Sequence, residues 1–313
     1  MMRRNSAILT VACTLTAAAP VFAQAVRVTG TTVTMEPPAG FSAAARFPGF
    51  ERQDVQASIM VTEMPGPASE MKQGMTKAAL ASRGMTLIAS SPEKIDGKNA
   101  LLVNVAQTGG GGEFLKWMLV AGDQKRTMMI VGTFPRAAEA ELGDAIKASL
   151  LTVRWSEPVE APDHFEGLPF RVTSTGSLKV AGRMNNLVIL NESGTMEARG
   201  PDAALFVVGN SVTAVKIEDL RAFSEARALQ TVKTANLKIG ERRAITIDGS
   251  NAYEIVGEAM DTDTGKRVTL YQVLLPGDGG YFIMQGLVSK ARAATMVPEF
   301  KRLAATFQRI VTR

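Results

Sequence analysis

A repeated motif constrains this chain more than any other feature of its sequence. The segment Lys94–Ala100 (Lys-Ile-Asp-Gly-Lys-Asn-Ala) returns as Thr246–Ala252 (Thr-Ile-Asp-Gly-Ser-Asn-Ala). Each copy is followed by apolar segments typical of strands and then by a segment with helical periodicity. The sequence therefore predicts two similar α+β domains in tandem.

The alignment of the two copies shifts by two residues before the last strand. Ile95 corresponds to Ile247, whereas Gly132 corresponds to Gly286. Hairpin turns tolerate insertions better than strands do. We therefore expect the second copy to have a longer hairpin turn.

Residues 1–23 have the features of a cleaved signal peptide. Arg3 and Arg4 form a basic start, an apolar run extends from Ala7 to Ala19, and Val-Phe-Ala at 21–23 is a small-x-small cleavage pattern. The apolar run is shorter than the roughly 18 residues that a membrane-spanning helix needs. We expect cleavage near Ala23 and a periplasmic protein without stable membrane insertion.

Two other export signals compete with this interpretation. Lipidation at Cys13 would leave a very short apolar region, and Thr10 stands where lipoprotein signals carry Leu. The residues after the paired arginines, Asn5-Ser6-Ala7, resemble a twin-arginine signal poorly. Cys13 is the only cysteine of the chain. Its loss with the leader would exclude a disulfide framework from the mature protein.

A change in composition divides the mature chain. The segment 157–169 contains three prolines and four acidic residues and lacks apolar periodicity. We interpret it as a linker between a first domain at 24–156 and a second at 170–313. Each domain then has an ordinary size for a single hydrophobic core.

Charge excludes one class of partner. The formal net charge is +5, and Lys and Arg are spread along the chain without a basic cluster interleaved with aromatic residues. Nucleic-acid binding proteins concentrate such residues. We therefore expect no nucleic-acid partner.

The apolar patterns predict the elements of both halves. Predicted strands lie at 26–35, 57–63, 86–90, 100–107, 114–120, 127–133, 204–208, 253–259, 268–274 and 281–287. Predicted helices lie at 69–83, closed by Gly84, from Pro135 onward and at 218–231. A last helix is predicted from the stripe of Met296, Phe300, Leu303, Phe307 and Ile310.

Four features together resemble one family. They are Pro38–Phe41 (Pro-Ala-Gly-Phe), Ala57–Glu63, the two Ile-Asp-Gly-x-Asn-Ala turns and a hairpin ending at Phe114–Trp117. The pattern resembles the PsbP-like and DcrB-like group of exported α/β/α sandwich proteins. The resemblance implies an antiparallel sheet flanked by helices in each half. It also implies an accessory or assembly role in an exported complex, although no particular partner transfers.

Three loop motifs resemble functional sites but favour simpler structures. Gly109–Gly112 precedes a strand and not the helix of a phosphate loop, so a hairpin turn is expected. Asp261–Gly265 lacks the later acidic ligands of a calcium loop and indicates a polar turn. Ser69–Lys72 matches S-x-x-K without its companion motifs, which favours Ser69 as a helix N-cap.

The repeated turns are interpreted as structural. Asp96 and Asp248 can cap their own turns, and the following glycines can adopt positive φ. Asn99 and Asn251 are available to a ligand, although hydrogen bonds that close the same turn are favoured.

His164 is the only histidine of the chain and lies in the predicted linker. A mobile linker does not hold an imidazole within hydrogen-bond reach of a nucleophile, so no Ser-His-Asp triad is predicted. Without residues for acid–base or cofactor chemistry, we expect no enzyme, and no catalytic, cofactor-binding or metal residue is assigned.

Methionines are concentrated in the first half of the chain. Their thioethers could hold Cu(I), but without His or Cys partners the pattern favours core packing or an adaptable protein-contact surface. The residues are Met60, Met64, Met71, Met75, Met85, Met118, Met128 and Met129.

Three functions are compatible with these observations. The first is a non-catalytic accessory or assembly protein of a cell-envelope complex that binds an unidentified protein partner. The second is a small-molecule or lipid-binding module that uses a cleft between sheet and helix or between the two halves. A hydrolase or oxidoreductase is the third and least supported.

Overall fold

The computed structural model describes residues 24–109, 111–157, 163–196, 200, 202–277 and 279–310. These residues form two seven-stranded antiparallel sheets, one in each half of the chain, and a few helices. The prediction of two sheet-rich α+β domains is confirmed. None of the helices in these ranges has the length and hydropathy needed to cross a membrane.

Besides two short 3-10 helices, the described part of the first domain contains ten strands and three α-helices. They are β1 (Val26–Arg27), β2 (Val33–Met35), β3 (Ser42–Ala43), β4 (Gly49–Arg52), β5 (Ala57–Pro65), α1 (Ala68–Gln73), α2 (Lys77–Ala81), β6 (Met85–Ile95), β7 (Lys98–Gly109), β8 (Gly112–Gly122), β9 (Arg126–Pro135), α3 (Glu139–Leu151) and β10 (Arg154–Trp155). The main sheet has the strand order β3-β4-β5-β9-β8-β7-β6, and β1, β2 and β10 form a small separate sheet.

The second domain repeats this plan. Its elements are β11 (Phe170–Arg171), β12 (Lys179–Met184), β13 (Leu187–Asn191), β14 (Leu205–Asn210), α4 (Leu220–Leu229), β15 (Thr234–Ile247), β16 (Ser250–Asp261), β17 (Arg267–Gly277), β18 (Gly280–Ser289), α5 (Ala293–Ala304) and β19 (Gln308–Arg309). The main sheet has the order β12-β13-β14-β18-β17-β16-β15, and β11 pairs with β19. The two main sheets therefore share one topology.

The repeated Asp-Gly turns close equivalent hairpins and hold the last strand of each domain. Asp96 and Asp248 have φ of 51° and 48°, and the following glycines also have positive φ, which is typical of two-residue hairpin turns. Each carboxylate also reaches the final strand. Asp96 Oδ2 accepts from the main-chain N–H of Trp155 (3.2 Å), and Asp248 Oδ2 accepts from that of Arg309 (3.1 Å).

The expected insertion lies in the hairpin between β16 and β17. In the first domain Gly109 pairs directly with Gly112. In the second domain the main-chain N–H of Asp261 donates to Lys266 O (2.9 Å), so the turn is two residues longer. The shift between the two copies is therefore confirmed as a longer turn.

Apolar clusters lie on both faces of each main sheet. On the inner face, α3 packs Leu142, Ile146 and Leu150 onto the first sheet, and α5 packs Met296, Phe300 and Leu303 onto the second. On the outer face, Leu80 of α2 and Ala228 of α4 belong to separate, smaller apolar clusters. These larger inner clusters are the main cores, since burial of apolar area is the dominant stabilising term in folding.

Some predicted elements differ from the structure. The single helix predicted at 69–83 is two short helices, because α1 ends at Gly74 and Thr76 caps α2 by accepting from Ala79 N–H (3.3 Å). Ser69 is not the N-cap of α1, since Pro67 occupies that position. The helix α5 ends at Ala304 and not near Ile310.

Candidate functional site

The two domains enclose a cleft with a volume of about 530 Å3. One wall comes from the β1–β2 turn and β5 of the first domain, and the other from the β12–β13 hairpin of the second. Its apolar lining consists of Pro48, Val61, Met64, Pro65, Ala181 and Met196. The volume lies within the range of about 300–1,000 Å3 that ligand clefts occupy.

Glu63 on β5 is fixed by donors from two neighbouring elements. One carboxylate oxygen accepts from Thr32 N–H (2.8 Å), and the other accepts from Thr32 Oγ1 (2.6 Å) and Trp155 Nε1 (2.5 Å). These bonds join β5 to the start of β2 and to β10. Glu63 is thus a rigid part of the cleft wall, and its charge is satisfied within the protein.

A second carboxylate joins the two domains. Arg27 on β1 forms an ion pair with Glu166 and also donates to Thr31 O (2.9 Å). The carbonyl oxygen of Glu166 accepts from Arg183 Nη1 of β12 (2.5 Å). The segment around Glu166 therefore connects the first domain to the hairpin that forms the opposite wall.

Arg183 lies partly buried in the cleft wall. Its described hydrogen bonds go to the main-chain oxygens of Glu166 and Asn185, both at 2.5 Å. Burial lowers the pKa of Arg183 to about 10, although Glu166 and Asp163 oppose this shift. The guanidinium remains charged at neutral pH but is incompletely compensated, because carbonyl dipoles replace a direct carboxylate partner.

His164 lies in the cleft wall within a hydrogen-bonded turn. Asp163 Oδ1 accepts from Phe165 N–H (3.0 Å), and its Oδ2 accepts from Arg171 Nη2 (2.8 Å). Burial lowers the pKa of His164, Asp163 opposes the shift and Arg183 adds to it. The imidazole is therefore mainly neutral at pH 7.

The carboxylate of Asp163 keeps its charge in this turn. Partial burial opposes ionisation, but the hydrogen bonds from Arg171 and from the main chain hold the pKa of Asp163 below its ordinary value. Phe165 and Leu168, which follow in the same segment, are buried in the core of the second domain. This packing positions His164 and Asp163 although they lie in the predicted linker, whose residues 158–162 lie outside the described ranges.

Two cations contact the buried Trp155 ring, and one of them, Arg126, also lines the cleft. The guanidinium of Arg126 lies 4.6 Å from the centroid of the ring, and Lys98 Nζ lies 4.7 Å from it. Arg126 also pairs with Glu157 (2.8 Å). Trp155 thus links these cation–π contacts to the carboxylate of Glu63, to which its Nε1 donates.

The hydroxyl groups of the described cleft wall have structural hydrogen bonds. Thr31 Oγ1 donates to Val28 O (2.8 Å) and accepts from Val33 N–H (3.1 Å), while Thr32 Oγ1 donates to Glu63. The cleft thus combines an apolar lining with charged groups that are held by hydrogen bonds and ion pairs within the protein.

The methionines are divided among four places. Met71, Met75, Met85, Met118 and Met129 belong to the outer-face cluster of the first sheet, together with aliphatic side chains. Met128 is buried on the inner face, Met64 lines the cleft and Met60 Sδ accepts from Asn185 Nδ2 across the domain boundary. Cys13 lies outside the described residues.

The predicted loop motifs lie outside the cleft lining. Gly109 and Gly112 close the β7–β8 hairpin, as expected, although residue 110 is not described. Asp261 Oδ1 accepts from the main-chain N–H groups of Asp263 (3.0 Å) and Thr264 (2.7 Å), and Gly265 has φ of 68°. This confirms a polar turn, whose hydrogen bonds to Thr264 lower the pKa of Asp261.

The side chains of Ser69, Lys72, Asn99 and Asn251 also lie away from the cleft lining. Lys72 Nζ donates to Asn99 O (2.8 Å), which ties α1 to β7. Asn251 lines a shallow depression beside the start of α4.

The cleft residues Arg27, Glu63, Glu166 and Arg183 were not identified from the sequence. The Arg27–Glu166 pair joins residues 139 positions apart, and neither residue belongs to a recognisable motif. Only the proposal of a ligand cleft between the two halves anticipated this location.

No protein-family model matches the chain, and no similar sequence is found among curated proteins. Three solved structures illustrate its similarities. A Pseudomonas aeruginosa protein of unknown function, PA94, is 22% identical, with a TM-score of 0.30, over 41% of this chain and 83% of its own. The PsbP protein of Synechocystis sp. PCC 6803 is 15% identical, with a TM-score of 0.32, over 45% of this chain and 99% of its own.

The third structure extends over most of the chain. The immunity protein TplEi of the Pseudomonas aeruginosa T6SS is 11% identical, with a TM-score of 0.35, over 91% of this chain and 98% of its own. These TM-scores are low, and the matches assign neither a family nor a function to this chain.

Proposed function

We propose that this chain is a non-catalytic, exported accessory or assembly protein of a cell-envelope complex, and that it binds its protein partner in the interdomain cleft. The observation that carries the proposal is the cleft itself. Its lining is apolar, and the carboxylates of Glu63, Asp163 and Glu166 are all engaged by donors of the protein. Fixed, internally satisfied charges around an apolar floor suit recognition better than proton transfer.

The proposal includes the origin of the two domains. We propose that two PsbP-like α/β/α sandwich domains, at 24–156 and 170–313, arose by tandem duplication and follow a signal peptide cleaved near Ala23. Support comes from the common strand order of the two sheets and from the equivalent contacts of Asp96 and Asp248. The apolar clusters on both faces of each sheet support the sandwich arrangement.

The proposal can be tested by crosslinking in the native envelope. A photoreactive amino acid replaces Met64 in the cleft, and a matched variant carries it at Ile88, which is 51% exposed on β6. We expect the probe at position 64 to label one discrete protein, and the probe at 88 to label it at least tenfold less. Equal labelling at both positions would refute the proposed site. Esterase, peptidase or phosphatase activity that a single substitution abolishes would refute the non-catalytic role.

A small-molecule or lipid ligand is the second candidate, and the volume of the cleft favours it independently. Native mass spectrometry of protein purified from its own envelope separates the two. A co-purifying mass of a few hundred daltons, lost when Met64 is replaced by Trp, would support this candidate.

A further inference from the structure

One strand edge of the first domain is open toward the cleft. β5 pairs with β4 only as far as Met60 but with β9 as far as Pro65. Along residues 62–65, β5 therefore has a neighbouring strand among the described residues only on the β9 side. Val61 N–H donates to Pro48 O (2.9 Å) on the β4 side. Because alternate residues of an antiparallel strand direct their main-chain groups to the same side, the N–H and C=O of Glu63 point to the β4 side, beyond the last residue of β5 that pairs with β4.

A second open edge forms the opposite wall. β12 is the terminal strand of the second sheet as far as the chain is described, and Ala181, Gly182 and Arg183 line the cleft. The pairing of β12 with β13 shifts register between Val180 and Gly182, which marks a bulge at Ala181. Asn185, in the turn that follows β12, donates to Met60 Sδ, the last residue of β5 that pairs with β4. Open edges are natural templates for an added strand.

The charges of the cleft indicate which kind of side chain an added strand would bring beside them. Glu63, Asp163 and Glu166 already accept from donors of the protein, whereas the described hydrogen bonds of Arg183 go only to main-chain oxygens. A guanidinium in that state gains most from a carboxylate partner. The occupant with the complementary chemistry therefore has an acidic group.

We propose that the cleft binds an extended peptide segment of the protein partner, which adds as a strand to the open edge of β5 and places an acidic group beside Arg183. This inference rests on the proposed function and specifies its partner. A lipid would fill the apolar lining but leave the main-chain groups of Glu63 unused. A peptide would use both the apolar lining and the main-chain groups of Glu63. Strand addition supplies main-chain hydrogen bonds, and alternate side chains enter the cleft.

The test uses a fluorescein-labelled synthetic peptide of nine residues, alternating Val and Thr with one central Asp, and measures anisotropy with the mature protein. Two N-methylated versions carry the methyl groups on alternate amides in opposite registers. Because a strand bonds to an edge through every second residue, we expect one version to bind at least about tenfold more weakly and the other within about threefold. Equal effects of the two methylation registers would overturn strand addition.

Arg183 is tested from both sides of the contact. Replacing the central Asp of the peptide by Asn should weaken binding about tenfold, and Arg183→Met should do the same for the Asp peptide while changing the Asn peptide less than about twofold. Arg221→Met, at an exposed position on α4, is the matched control and should change neither. The comparison of the Asp peptide with the Asn peptide uses the unsubstituted protein. It therefore still tests the contact if the Arg183→Met protein does not fold.

Failure of this inference is distinguishable from failure of the proposed function. If the peptides do not bind but the probe at position 64 still labels a partner protein, the cleft binds a folded surface and not an extended strand. If dodecanoate displaces the peptide while both methylated versions bind equally, the occupant is an amphiphile. Loss of both the peptide binding and the crosslink would reject the cleft as the partner site.

Discussion

The outer faces of the two sheets differ at one equivalent cross-strand pair. In the first domain Met118 lies opposite Val131, whereas in the second domain Gln272 lies opposite Gln285. The first pair belongs to the methionine-rich apolar cluster beneath α1 and α2. In the second pair Gln285 Nε2 donates to Gln272 Oε1 (3.0 Å), and Gln272 Nε2 donates to Ser224 O of α4 (2.8 Å).

This comparison shows two ways of fixing a helix to the same sheet. The first domain uses non-directional burial, which methionine fills adaptably. The second domain uses directional hydrogen bonds from a fully buried glutamine, which specify one position for α4. The inner faces share one feature, because Gly132 and Gly286 lie directly under the inner helices of the two domains. The inner face of the second domain also has a directional contact, since the buried Glu254 accepts from Tyr271 Oη (3.1 Å) and pairs with Lys301 of α5 (3.3 Å). Close packing of a glycine against the inner helix is therefore common to both domains, whereas the chemistry of the outer faces differs.

The largest expected effect tests the shared inner face. A Cβ added to Gly286 would lie 2.4 Å from the Phe300 ring, and one added to Gly132 would lie 2.3 Å from Ile146 Cγ2. We expect Gly286→Ala and Gly132→Ala each to lower the free energy of unfolding by about 3 kcal/mol, because neither sheet can move from its helix cheaply. Urea denaturation measures the change.

Gly240→Ala is the matched control, since the nearest atom to its added Cβ is 3.7 Å away. This substitution should change stability by less than about 0.5 kcal/mol. If Gly286→Ala costs no more than Gly240→Ala, the inner faces are not the constrained part of the fold.

The central strands are predicted from the sequence because their signal is local. Dense apolar segments at 100–107, 114–120, 268–274 and 281–287 lie within β7, β8, β17 and β18. β15 was missed as a separate strand because it lies at the sheet edge, where most of its side chains are exposed and the apolar alternation is weak. α1 and α2 were merged because their break at Gly74 depends on local capping that periodicity does not register.

Most residues of the candidate site cannot be predicted from the sequence, because their contacts join distant parts of the chain. Glu63 is fixed by Thr32 and Trp155, which lie 31 and 92 positions away. Such contacts depend on how strands from distant segments meet, and a single sequence contains no pattern for them. His164 was placed in a mobile linker because the segment is rich in proline and acids, yet Phe165 beside it is buried in the second core.

The next largest effect comes from exchanging the outer-face chemistries. Met118→Gln buries an amide in an apolar cluster without the helix carbonyl that Gln272 uses, and should cost about 2 kcal/mol of unfolding free energy. Gln272→Met removes the side-chain donor to Ser224 O and the acceptor of Gln285 Nε2, and should cost a similar amount.

Met118→Leu is the control and should cost less than about 1.5 kcal/mol, since the swap conserves volume and polarity. Circular dichroism with urea checks all three variants. If Met118→Gln is as mild as Met118→Leu, the outer face of the first domain is too loosely packed for its apolar character to matter.

A smaller effect concerns the carboxylate that holds the last strand. Asp248 accepts from the side chain and the main chain of Arg309, and these hydrogen bonds, foremost the one from the side chain, lower the pKa of Asp248 against a smaller opposing effect of burial. A pKa lower in the folded than in the unfolded state adds stability above the unfolded value, and this stability is lost as the pH falls through the folded value.

We therefore expect Asp248→Asn to cost roughly 1 kcal/mol at pH 7, and this cost should shrink as the pH falls through the lowered pKa of Asp248 in the folded protein. Asn tolerates the positive φ at this position, so the turn itself should persist. Asp96→Asn is the comparison variant, with a single described bond to Trp155 and a smaller expected cost at pH 7. A cost for Asp248→Asn that does not change with pH would contradict the ion-pair explanation.

The smallest expected effect concerns the N-cap residues of the two outer-face helices, α2 and α4. Thr76 caps α2 with a long hydrogen bond to Ala79 N–H (3.3 Å), whereas Asp219 caps α4 with a shorter one to Ala222 N–H (3.0 Å). Replacing either residue by Ala should cost about 0.5–1 kcal/mol, with the larger value at Asp219 because a carboxylate is the stronger acceptor.

Amide hydrogen exchange shows which residues of each helix lose protection when the cap is removed. Since α2 has only five residues and is held by apolar contacts, Thr76→Ala should speed exchange throughout α2. Asp219→Ala should speed exchange only in the first turn of α4, because the hydrogen bond from Gln272 to Ser224 still holds the middle of that helix. Equal loss of protection along both helices would mean that the buried glutamine does not anchor α4, and that the two outer faces differ in composition but not in how they fix a helix.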